Sequence, residues 1–139
     1  MTPNELLCQL EDIARMDDFA ARSADLVEAW LLSESTFDVV GPILQFMERH
    51  PALDFEMPGP LVHCAERFYG RGYEAKLLDA IGRNPTACTV WMLIRVINGT
   101  KEPGDRHHYP ELLKGVRDNP AVDATARRVA TQYLIGPSE

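Results

Sequence analysis

The chain has 139 residues, of which 45% are hydrophobic and 25% charged, and its net charge is −7. That apolar content supports a packed core and excludes a disordered chain, and the length suits a single domain over residues 1–139. The acidity excludes a typical nucleic-acid-binding module, which would show a basic excess; it is also lopsided, since residues 1–60 hold 12 acidic and 3 basic side chains and residues 61–139 hold 9 and 11.

Thr2-Pro3-Asn4-Glu5 has the pattern of a capped helix start: threonine can cap, proline suits the first helical position, and glutamate three residues on can reach back. The N-terminus carries no basic, signal-like segment. Leu6, Leu7, Leu10, Ile13 and Ala14 then form one apolar stripe at helical spacing. Met16-Asp17-Asp18 breaks that helix, and a second one follows to near Ser33-Glu34-Ser35, with Phe19, Leu26, Val27, Trp30 and Leu31 inward. A third helix is expected from about Thr36 to His50, with a kink or a late start at Gly41-Pro42 because proline cannot donate the internal hydrogen bond. Residues 51–60 read as a proline-braced loop, and Pro60 opens a fourth helix to about Tyr69.

A fifth helix is expected over Gly72–Arg83, ended by Asn84-Pro85, since the residue before proline avoids helical geometry. The sixth, about Thr86 to Asn98, is apolar nearly all round and should be the centre of the core, with Asn98-Gly99 as its stop. Its run Val90–Ile94, closed by Arg95, is the longest strong apolar cluster and is far short of the roughly 18 residues of a membrane span. Thr100–His108 is polar and reads as a loop. Two last helices are placed at Tyr109–Asp118 and Ala121–Ile135, the latter with Val122, Ala126, Val129, Ala130, Tyr133 and Leu134 inward and Arg127, Arg128 and Gln132 outward. Nothing alternates with the period of a strand.

A short pattern recurs three times: Ile43-Leu44-x-x-Met47-x-x-His50-Pro51, Leu77-Leu78-x-x-Ile81-x-x-Asn84-Pro85 and Leu112-Leu113-x-x-Val116-x-x-Asn119-Pro120, at offsets of 34 and 35 residues. That period is the length of one helical hairpin, so the expectation is an all-α fold, a short α-solenoid of about four antiparallel hairpins. Solenoids of this kind present surfaces to other macromolecules.

Residues 111–130, with paired leucines, the Asp118-Asn119-Pro120 turn and then Arg127, Arg128 and Ala130, resemble a HEAT-type repeat. Pro58–Glu66, Tyr73–Leu78 and Pro85–Asn98, within a block of roughly 40 residues, look like the small helical immunity proteins of bacterial polymorphic toxin systems, including contact-dependent growth inhibition. The resemblance implies a HEAT-like protein that neutralises one cognate toxin domain by stoichiometric binding, without enzymatic activity of its own. Many such toxins attack nucleic acid through a basic cleft, which an acidic surface could occupy. The alternative is a HEAT-like adaptor or scaffold with an endogenous partner, and a third reading is a small enzyme with an unrecognised site. The implied protein is cytoplasmic and monomeric when free, with no cofactor, metal, nucleic acid or membrane partner.

Candidate partner contacts follow from charge and from departures from the repeat. Asp17, Asp18, Asp25 and Glu28 carry the acidity of the first hairpin; Asp54, Phe55 and Glu56 set an aromatic between two carboxylates on the braced loop, where bracing lowers the cost of binding. Phe55 could equally plug a gap between hairpins. His63 and Glu66 share a helix face at a spacing that metal sites also use, but no second such pair accompanies them, so an ordinary hydrogen-bonding pair is the simpler reading. Arg95 needs a carboxylate, for which Glu66 and Asp79 are candidates, or else it sits at a groove rim; Trp91 is expected in the core. Cys8, Cys64 and Cys88 fit neither a disulfide framework nor a zinc site and are expected as small buried hydrophobes.

Overall fold

The computed structural model describes residues 2–33, 39–53, 55, 59–100 and 102–135. Among them are eight α-helices and no strand: α1 (Pro3–Ile13), α2 (Phe19–Ser33), α3 (Val40–Arg49), α4 (Gly59–Glu66), α5 (Tyr73–Arg83), α6 (Ala87–Gly99), α7 (Pro103–Asp118) and α8 (Ala124–Ile135). The chain is thus all-α. No helix among the described residues is long and apolar enough to cross a membrane. The fold divides into two compact units, Met1–Lys76 and Leu77–Glu139.

Local chemistry sets most helix ends. At α1, Thr2 Oγ1 accepts from the Glu5 amide at 3.1 Å and Glu5 Oε1 accepts from the Thr2 amide at 3.4 Å, a reciprocal cap worth about 1 kcal/mol. The described helix α3 begins at Val40, and Gly41 and Pro42 fall in its first turn, where a missing N–H is lost at no cost; the expected start near Thr36 lies outside the described residues. A buried version of the reciprocal cap opens α6, where Thr86 Oγ1 accepts from the Thr89 amide at 3.2 Å and Thr89 Oγ1 from the Thr86 amide at 3.0 Å. The three copies of the sequence pattern fall on the C-terminal parts of α3, α5 and α7, and the His50-Pro51, Asn84-Pro85 and Asn119-Pro120 pairs stand just past their ends.

In the first unit, α1 packs on α2 and α3, and α4 packs on α2 and α3. Leu6, Leu10, Trp30, Ile43, Leu44, Met47, Leu61 and Phe68 are buried at its centre. Beside them Phe19 stacks on Phe46 at 5.7 Å between ring centroids, and Phe55 meets both rings edge-on at 6.0 Å. Each such side chain contributes about 1.5–3 kcal/mol by leaving water. In the second unit α8 lies against α6 and α7, and α6 also meets α7. Val90, Met92, Leu93, Leu113, Ala126 and Ala130 fill that core. Trp91 is half-buried rather than central; the Arg95 guanidinium lies over its ring, 5.2 Å from the centroid.

Several expectations are corrected. Residues 103–108 are the first turns of α7 and not a loop: Pro103 occupies the opening turn, and Pro110 sits inside the helix at the loss of one backbone hydrogen bond. In contrast α4 ends early, at Glu66. The Arg67, Phe68 and Tyr69 amides then bond to carbonyls three residues back at 3.3, 3.1 and 3.1 Å, and Gly70 (φ 75°) and Gly72 (φ 106°) turn the chain into α5. The last helix begins at Ala124 because Asp123 Oδ2 accepts from the Thr125 and Ala126 amides at 3.0 and 3.2 Å. Arg127 is half-buried, its Nε donating to the Arg117 carbonyl at 3.2 Å. Cys8 is exposed, while Cys64 and Cys88 are buried as expected.

Candidate functional site

Helix α2 presents Ala24, Val27, Glu28 and Leu31 along one face, at spacings of three and four residues. Pro60, His63 and Cys64 of α4 and Arg67 just beyond it face them across a cleft of about 390 Å³. The floor is apolar. Glu28, His63 and Arg67 supply the polar edge, and Asp25 stands exposed one turn before Glu28. On α4, Glu66 Oε1 lies 3.7 Å from His63 Nδ1. Two of the sequence-predicted contacts, Glu28 and His63, therefore meet across this cleft, while Asp25 and Glu66 stand beside them on the same helices without lining it.

Asp17, Asp18 and Phe55 do not join them. Asp17 and Asp18 lie in the turn between α1 and α2, exposed, and Asp18 Oδ1 takes the Arg22 Nε at 2.8 Å. Phe55 is 3% exposed, so it serves the aromatic core with Phe19 and Phe46 and offers nothing to a partner. Asp54 and Glu56 lie outside the described residues.

The cleft lining itself holds one carboxylate, Glu28, and one guanidinium, Arg67; the negative balance belongs to the surrounding unit. The unit that carries it, residues 1–76, holds 14 acidic and 6 basic side chains, a net −8. Burial pushes the Cys64 thiol at the cleft floor up to about 11, which the nearby Arg67 charge only partly opposes. Cys64 is accordingly a protonated, apolar floor group and a poor nucleophile near neutral pH. The described residues contain no group of three or more His, Cys, Asp or Glu side chains placed to hold a metal ion.

Sequence reasoning missed Leu31, Cys64 and Arg67 as parts of one cleft. Periodicity puts Leu31 on the inner stripe of its helix, but it does not say that α2 meets α4. One usable signal was the run Leu31-Leu32, too apolar for a helix end: Leu31 is half-buried in the cleft and Leu32 is 83% exposed beside it. Comparison with known proteins finds no matching family model, no matching curated protein and no matching solved structure.

Proposed function

We propose that this chain is a HEAT-like binding scaffold that neutralises a bacterial toxin domain, as an immunity protein does, by stoichiometric association. The observation that carries this reading is the α2–α4 cleft: an apolar floor edged by Glu28, with Asp25 and Glu66 close by, in a unit of net charge −8. An apolar centre with a charged margin is the anatomy of a protein interface, and the excess of carboxylates selects a basic partner and accelerates encounter. A nuclease cleft, built to hold phosphates, is such a partner.

Two further features support the scaffold half of the proposal. The phased sequence pattern closes α3, α5 and α7 alike. Within the first unit α1 neighbours α3 and α2 neighbours α4, the relation expected of two stacked hairpins. The resemblance of Pro58–Glu66, Tyr73–Leu78 and Pro85–Asn98 to small helical immunity proteins supplies the toxin half.

Co-expression with the toxin domain encoded beside this chain tests the proposal. The expected result is survival of the host and co-purification of a one-to-one complex, both weakened by Leu31→Asp in the cleft. Absence of complex and of protection with a well-folded chain would sink the toxin reading, and a stable complex with a host protein instead would favour an adaptor.

A further inference from the structure

The second unit holds a larger groove that the proposed interface does not use. Leu78, Ile81 and Gly82 of α5 form one wall, and His108, Leu112, Gly115 and Val116 of α7, with Asn119 just past its end, form the other; its volume is about 440 Å³. The four α7 residues are spaced at four, three and one, a single helix face, so the groove runs along that helix for about 12 Å. Arg83, Asn84 and Pro85 close the α5 side, and Ala121 and Val122 lie beyond Asn119.

The sequence register explains why this space is open. Gly115 stands where the first copy of the pattern has Phe46 and the second has Ala80. Phe46 is fully buried between Phe19 and Phe55, so in the first unit this position fills the core. At Gly115 and Gly82 an added Cβ would meet nothing within 4 Å, and neither residue has a positive φ. Neither packing nor backbone geometry calls for glycine there, in the last turns of α5 and α7. What the two glycines do is keep the groove clear from both walls.

The lining also has a sign. Arg83 contributes a positive charge to it, and no carboxylate does among the described lining residues. Arg83 also interacts within the protein, and its guanidinium carries five donors. Asn119 Oδ1 accepts from the Ala121 amide at 3.0 Å, which leaves its NH2 group as a donor at the groove edge.

We infer that the α5–α7 groove binds an elongated apolar small molecule ending in a carboxylate, such as a medium-chain acyl acid. Its volume lies in the range of about 300–1,000 Å³ typical of ligand sites. An extended chain of about ten carbons spans roughly 12 Å at ordinary C–C bond lengths, matching the length of the groove. The apolar body would lie on Leu78, Ile81, Leu112 and Val116, with the carboxylate toward Arg83. This site is independent of the toxin reading, since it lies wholly in residues 77–139.

Calorimetric titration of the full chain tests the inference, with decanoate below its micelle concentration and decanol as the uncharged probe. The expected result is one-to-one binding with decanoate preferred over decanol. Gly115→Leu should weaken decanoate binding about tenfold or more, the equivalent of two fewer buried methylenes. Arg83→Gln should bring the affinities for the two probes together. Gly104→Ala, a helical glycine of α7 outside the groove, should leave binding unchanged and so separates groove filling from helix propensity. If Gly115→Leu does not fold, Gly82→Val narrows the groove from the opposite wall. No heat of binding, equal affinity for both probes in the unmutated chain, or binding that survives the filling variant would each overturn the inference.

Discussion

His50 Nε2 lies 2.6 Å from Glu11 Oε1, tying the end of α3 to the last turn of α1 across 39 positions of sequence. The His50 ring also sits over Phe46, with 4.6 Å between centroids, and Arg49 Nη1 approaches Glu11 Oε2 at 3.5 Å. His50 is the position at which the first copy of the pattern departs from the Asn-Pro of the other two. Restoring the pattern with His50→Asn should therefore destabilise the chain, by about 1 kcal/mol, because the amide is too short to reach Glu11. A double-mutant cycle with Glu11→Ala, followed by urea denaturation, should return a coupling energy of about 0.5–1.5 kcal/mol; additivity would show that the contact contributes nothing.

Phe46 is the centre of the three-ring cluster and is fully buried. Phe46→Ala removes a ring that touches Phe19, Phe55 and His50 at once. The expected loss is about 3–5 kcal/mol of stability, read as a fall in the denaturation midpoint. Phe46→Leu, which keeps most of the volume, should cost less than half of that.

The cysteines should divide sharply by reactivity. Cys8 is exposed, whereas burial pushes the thiols of Cys64 and Cys88 up to about 11 and about 12. An aromatic disulfide reagent at pH 8 should thus titrate one thiol quickly in the folded chain and all three after unfolding, and Cys8→Ser should abolish the fast phase. The raised values also fix the sign of the pH dependence. These thiols favour the fold fully below the ordinary thiol pKa near 8.5, and that contribution is lost as pH climbs through 11 to 12. Thermal melts should show the fall only on the alkaline side, and Cys88→Ala should reduce it.

Charge reversal at the α2–α4 cleft should act on association and leave the fold alone. Glu28 is exposed at the cleft edge, so Glu28→Lys should change stability by no more than about 0.5 kcal/mol. With the cognate toxin domain in hand, it should lower the association rate by about tenfold and flatten its salt dependence. An unchanged rate would place the interface elsewhere on the chain.

What the sequence made legible was what short-range rules govern. The capping box at Thr2, the break after Ile13 and the x-Pro stops after α3 and α5 all depend on residues within one turn of each other. Phe55 shows where such rules stop: whether an aromatic on a loop faces water or a core depends on Phe19 and Phe46, 36 and 9 positions away. The opening of α7 was hidden for another reason. Residues 103–108 have no apolar periodicity, because that stretch is exposed wherever its side chains are described, and Pro110 looked like a first helical residue although the helix is already two turns old there. The cleft was partly legible, since Glu28 and His63 stand out by charge and spacing, while the pairing of α2 with α4 is a tertiary fact.

Proline and glycine in α7 bear on the order in which this protein opens. Gly104, Pro110 and Gly115 all lie in one helix of 16 residues, and each lowers its intrinsic helicity. That helix also owns a wall of the groove, so its groove side gains less from side-chain burial than a packed face would. Amide hydrogens there should exchange with solvent sooner than those of α6, which is buried along most of its length. A molecule settling between Leu112 and Ile81 would slow that exchange, and occupancy of the groove would then be readable as protection of backbone amides along α7.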